Sequence, residues 1–383
     1  MIECRKYLLH TKRDDVAMSA SALNTNKTLN SIQAMRGIAA VLVMLFHYRL
    51  NFNFPFYNFG NEILISGAVG VPLFFIISGF IMGYTQKNDG PSASLKFVIN
   101  RLCRIVPLYY FCTILWVIML NVNMDDASSF NDSINMFKSF MFIPLSSDTP
   151  PGFGYATLFV GWSLNYEVFF YLLFAMSLLL GRFKWVFFFT ATFALLVVVP
   201  GIVDSPTLNA EHAYGFTNPY VAMATNPLIW NFAAGVAIAL IIGKVNFDFA
   251  ATYIKWASWL CIILFAWQYL SGFNAGVSIN KWGIFSCLLL FFMTLREKIF
   301  GCNAPKFLVF LGEISFSIYL MHPIAKEMVY AVLRNAGDKY TSGFVFGITC
   351  VAITILLSAA THRFIELRVS NAIKYKLLPA KAQ

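Results

Sequence analysis

Charged residues are scarce in this chain. Aspartate, glutamate, lysine and arginine make up only 12% of its 383 residues, about half the usual soluble share. Hydrophobic side chains make up 58%, and the mean hydropathy is +0.67. A water-soluble globule has no interior large enough to hide that much apolar surface, which leaves a polytopic membrane protein. The seven cysteines form no C-x-x-C pair and no cysteine–histidine zinc pattern. Neither a disulfide framework nor a metal site is therefore expected, and no bound cofactor. No internal repeat, soluble second domain or low-complexity linker interrupts the chain. A net charge of +10 does not point to nucleic acid, because the basic residues are spread between apolar runs rather than gathered in one patch.

Apolar segments long enough to span a bilayer, or nearly so, fall at about 36–53, 63–84, 97–121, 157–180, 184–201, 226–243, 251–271, 276–294, 309–326 and 343–364. With the N-terminus in the cytoplasm, only Arg49, Lys138, Lys281, Lys326, Arg334 and Lys339 of the 28 lysines and arginines lie on the outer side. That is the bias of a positive-inside topology. The expected fold is all-α, with about ten transmembrane helices and both termini cytoplasmic. A polar tail (1–30) precedes a membrane domain (31–367), and a basic tail (368–383) follows it. The N-terminal tail lacks the apolar core and cleavage site of a signal peptide. Its His10 and Asp15 imitate an acyltransferase H-x4-D spacing, but in a solvated tail with no pocket around them.

The chain is organised around residues 32–51, IQAMRGIAAVLVMLFHYRLN. Arg36 and His47 stand roughly three helical turns apart, ~16 Å along one face. Ionisable groups inside a hydrophobic helix are costly in lipid and mark function by default. Imidazole titrates near neutrality, so His47 is a candidate general base for a hydroxyl.

A second polar stretch, GWSLNYE at 161–167, opens the fourth segment from the outside and carries Glu167 to a depth of ~15 Å. A buried carboxylate needs a partner, and a histidine base needs a group to fix its tautomer. Glu167 is therefore expected to orient His47, the alternative being a structural bond to Asn165 or a tyrosine. Trp162 and Ser163 precede it, as acceptor contacts or as packing.

At the inner end of the third segment, Arg101 and Arg104 share a helix face. Paired guanidiniums near a helix N-terminus suit phosphates, while positive-inside anchoring is the plain alternative. In FFIISGF (74–80), Ser78 and Gly79 fit either a close helix contact or an acyl chain. In LGEISFSIYLMHP (311–323), His322 is expected near an outer helix end, with Pro323 as a terminator; a role in acceptor contact or in packing stays open. His362 and Arg363 read as interfacial. The outer loops at 121–156 and 202–225 are acidic and aromatic, a composition that suits a glycan acceptor or plain connection. No G-x-S-x-G surrounds Ser78 or Ser163, so a serine nucleophile is unsupported.

Taken in order, Arg36-Gly37 to His47, FFIISGF, Arg101-x-x-Arg104 with Pro107, GWSLNYEVFFY and LGEISFSIYLMHP resemble the acyltransferase-3 family of membrane acyltransferases, in particular its exopolysaccharide and O-antigen O-acetyltransferase members. The resemblance implies a ten-helix domain in a bacterial inner membrane. It implies acyl-CoA, usually acetyl-CoA, as donor and a cell-surface or lipid-linked glycan as acceptor. It implies that His47 is essential and that Arg36, Arg101, Arg104 and Glu167 belong to the site. Two positions depart from the pattern: Asn100, where relatives often carry a further arginine, and Asn231, where many carry an acid. A glycan or lipid transporter is the alternative class, with buried charges lining a pathway.

Overall fold

A computed structural model describes residues 29–54, 56–123, 130–244, 250–337 and 340–378. Residues 1–28 and 379–383 of the two tails, and with them His10 and Asp15, lie outside the described residues, as do Asp125 and Asp126. The first long helix, α1, spans Asn30–Tyr48 and runs on through a 3-10 turn to Phe52. It is followed by α2 (Gly70–Thr85), α3 (Pro91–Asn123), α4 (Phe130–Phe140), α5 (Trp162–Leu179) and α6 (Lys184–Phe193). Then come α7 (Trp230–Lys244), α8 (Ala251–Ser271), α9 (Ile284–Phe300), α10 (Lys306–Glu313), α11 (Ser315–Leu333) and α12 (Gly343–Thr361). The described residues contain no named strand, only an isolated bridge between Phe54 and Tyr57.

Among the described residues, seven helical runs are long and apolar enough to cross a membrane, and an eighth if α10 and α11 count as one broken span. The chain is an all-α polytopic membrane protein. The expected seventh and eighth segments fold as α8 and α9, which fall short of that measure. The face where α1 begins is called proximal below, and the face where it ends distal.

Several boundaries differ from the sequence reading; α3, for one, begins at Pro91 rather than near 97, which sets Arg101 and Arg104 roughly three turns inside the helix instead of at its N-terminus. α1 starts at Asn30 rather than near 36, because the Glu297 carboxylate caps it. The backbone N–H groups of Asn30 and Ser31 donate to Glu297 at 2.8 and 2.9 Å. A carboxylate at a helix N-terminus satisfies orphan donors and meets the positive end of the dipole. The ninth segment is broken at Ile314, with α10 and α11 bent by 71°. Pro323 ends nothing: it lies inside α11, a place that membrane helices tolerate. The last helix continues past Thr361 through a wide π turn to Leu377, so the basic stretch from 368 is helical up to that point.

Two glycine contacts set the packing. A Cβ on Gly79 of α2 would meet the Phe232 carbonyl oxygen of α7 at 2.0 Å, and one on Gly235 would meet the Ile76 oxygen at 2.0 Å. Close backbone approach of this kind is how small residues build membrane interfaces. Phe75, Phe232 and Phe170 stack beside it at 4.4 Å spacings, joining α2, α7 and α5. Gly79→Val should cost about 1–3 kcal/mol through overpacking. Thermal unfolding of the detergent-purified protein reads that loss, and an unchanged midpoint would contradict the contact.

Candidate active site

Helical period alone brings the polar residues to one place. Ser163, Glu167 and Tyr171 recur every four residues along α5, and Ser315 and Tyr319 do so along α11, so each set shares a face. Both faces turn toward a partly open pocket that is also lined by Arg36 of α1, Ser78 of α2, and Arg101 and Arg104 of α3. The three arginines that the sequence singles out therefore meet in one pocket with Glu167.

Arg36 is only 9% exposed, and its Nη1 donates to Gln33 Oε1 at 3.0 Å. The Arg101 guanidinium lies over the rings of Phe97 and Tyr171, 5.4 and 5.6 Å from their centroids. Among the described residues, none of the three arginines has a carboxylate within 4 Å. Three cations thus face a pocket with a single carboxylate on its wall. Guanidiniums held apart from carboxylates keep their donors free for an incoming anion, and their planar fork matches phosphate.

Glu167 does not orient His47. Its Oε1 accepts from Ser78 Oγ at 3.1 Å and from the Tyr171 hydroxyl. The reason is register. His47 sits in the last turn of α1, because the capped start at Asn30 leaves Arg36 near the proximal end and carries His47 toward the distal one. Glu167 is an anchor for α2 and α5 and a counter-charge to the arginines. Glu167→Ala leaves the buried Tyr171 hydroxyl without its acceptor, a cost of about 1–3 kcal/mol. The expected outcome is a lower unfolding temperature that Tyr171→Phe partly restores. Equal losses in Glu167→Ala and the double variant would count against the bond.

His47 is half-buried between three rings. Phe46 and Phe159 stand 5.0 and 5.1 Å away edge-on, and His322 stacks on it at 4.9 Å with 29° between planes. His322 is not near a helix end, as the sequence suggests, but fully buried in the middle of α11. Tyr319 links the two halves of the site. Its ring lies 6.2 Å from that of His322, and its hydroxyl bonds to Ser163 Oγ and the Val160 carbonyl, each at 2.7 Å.

The remaining candidates divide. Ser163 and Ser78 line the pocket. Trp162 does not; it packs edge-on against Tyr155 and Tyr166. Asn231 is buried and donates to the Leu228 and Val277 carbonyls, a structural role. The loop acids Asp204 and Glu211 are held by His212 at 2.8 Å and Lys281 at 3.9 Å. Sequence reasoning passed over Tyr171, Tyr319 and Glu366. The first two are visible as helical repeats of residues it did select. Glu366, 8% exposed, accepts from Ser317 Oγ at 3.1 Å and pairs with His362 Nδ1 at 3.0 Å, so His362 is not simply interfacial. Among the described residues no cluster of three or more histidines, cysteines or acids could hold a metal.

A family model described as an acyltransferase domain matches residues 29–363, a span that takes in every residue of the pocket and both stacked histidines. The chain belongs to the acyltransferase-3 family. It is a membrane O-acyltransferase. It is 30% identical over 273 residues to the exopolysaccharide production protein ExoZ of Rhizobium meliloti, covering 69% of this chain and 78% of that protein. It is 25% identical over 395 residues to the peptidoglycan O-acetyltransferase OatA of Listeria monocytogenes, covering 94% of this chain and 58% of OatA. No solved structure matches the acyltransferase.

Proposed function

We propose that this acyltransferase moves an acyl group, usually acetyl, from acyl-CoA to a hydroxyl of a cell-surface or lipid-linked glycan. The observation that carries the donor assignment is the pocket of three arginines, none of them within 4 Å of a carboxylate among the described residues, with Glu167 the one carboxylate on its wall. Arg101 and Arg104 hold the CoA phosphates from the proximal, cytoplasmic side. Arg36 binds the donor beside them. The pantetheine arm is a long flexible chain, and it carries the thioester up α1 toward His47, ~16 Å farther along the helix. The names of ExoZ and OatA support a glycan acceptor.

In the transfer step His47 takes the acceptor hydroxyl proton as the oxygen attacks the thioester carbonyl carbon. A carbon–oxygen bond forms, the carbon–sulfur bond breaks, and His47 returns the proton to the leaving sulfur. No metal, redox partner or second cofactor enters this balance. The test is labelled acetyl-CoA added to membrane vesicles from cells producing the protein, which carry the native acceptor. Label should enter glycan ester only when the protein is present. A glycan or lipid transporter would leave the label in CoA.

A further inference from the structure

A histidine base works best when its second ring nitrogen donates to a fixed acceptor, which sets the tautomer and steadies the cation. Glu167 is committed to Ser78 and Tyr171. The rings packed on His47 are Phe46, Phe159 and His322. Only His322 has an acceptor to offer.

The state of His322 follows from its surroundings. Its Nδ1 faces the Ile318 carbonyl at 3.2 Å. A carbonyl only accepts, so Nδ1 carries the proton. The ring is fully buried with no carboxylate partner among the described residues, the setting of a neutral imidazole. Nε2 therefore holds a lone pair. That atom is buried and has no hydrogen-bond partner among the described residues. A buried polar atom without a partner is costly and calls for a role in the native structure.

We propose that His322 is the positioning residue of the base. When substrates fill the site, the half-buried His47 side chain tilts and donates its second N–H to His322 Nε2. The stacked separation of 4.9 Å makes this a local ring movement. Among the described residues, the tyrosine hydroxyls beside His322 already have partners. The Tyr48 hydroxyl is bonded to the His322 carbonyl and Thr354, and the Tyr319 hydroxyl to Ser163 and Val160. Arg49 and Lys326, the nearby cations, donate only. The inference rests on His47 being the base.

The test compares His322→Gln, His322→Phe and His322→Met in membrane vesicles from producing cells, with labelled acetyl-CoA as probe. Phe and Met fill the space without an acceptor and should lower turnover on the order of 10²-fold, with KM for acetyl-CoA nearly unchanged. Gln places an amide oxygen near the Nε2 position and should recover about a tenth of native turnover or more. Native turnover in either apolar variant overturns the inference, as does a Gln variant no better than both. If His47→Ala keeps native turnover, the base assignment itself falls. A dead His47→Ala beside a fully active His322→Phe overturns the positioning role alone.

Discussion

His47→Ala is expected to lower acyl transfer by roughly 10²–10⁴-fold, the usual contribution of a general base, with little change in KM for acetyl-CoA. The imidazole contacts Phe46, Phe159 and His322 through ring faces and edges. Among the described residues it bonds to no other polar side chain, so its removal leaves no buried partner stranded. Arg36, Arg101 and Arg104 lie in the pocket toward the other end of α1 and keep their places. The protein should still enter the membrane and purify as the native form does. Turnover and KM in membrane vesicles check the split. A variant whose turnover is unchanged would remove the proton-transfer role. One that loses donor affinity instead would place His47 in the binding pocket.

The arginine variants should fail in the opposite way. On the proposed donor assignment, Arg101→Ala and Arg104→Ala would each remove a charge-assisted contact worth about 1.5–3 kcal/mol. The expected result is a rise of roughly 10- to 150-fold in KM for acetyl-CoA, with turnover at saturating donor retained to a greater degree. Lysine should rescue only in part, because an ammonium keeps the charge but not the planar fork. Arg101→Lys also gives up a guanidinium laid over Phe97 and Tyr171. Donor-saturation curves read all of this. An unchanged KM in both alanine variants would leave the arginines as anchors of the membrane face and nothing more.

Much of the pocket was legible before any coordinates. Arg101 and Arg104 sit three apart on a helix, and that spacing fixes a shared face without knowledge of neighbours. The cost of burying Arg36 and Glu167 in lipid marked those two, while Ser78 stood out only as a small residue fit for a helix contact or an acyl chain. What could not be read was registry between helices. Nothing near residue 30 announces that Glu297 will cap α1, and the capped start decides how far toward the distal face His47 travels. The break at Ile314 has the same effect on α11. Glu313 and Ser315 look like continuous helix in sequence, yet the 71° bend there sets where His322 meets His47. Glu167 and His47 each needed a partner, and sequence alone paired the two; geometry gave Glu167 to Ser78 and Tyr171, and stacked His47 on His322.

The proposed reaction puts donor binding and proton transfer at opposite ends of one helix. The most direct measurement of that separation is the affinity of purified His47→Ala for CoA, by titration calorimetry in detergent beside the native protein and Arg101→Ala. Native-like affinity in His47→Ala, together with weakened binding in Arg101→Ala, is the expected result. CoA binding lost with the imidazole and kept without the arginine would contradict it.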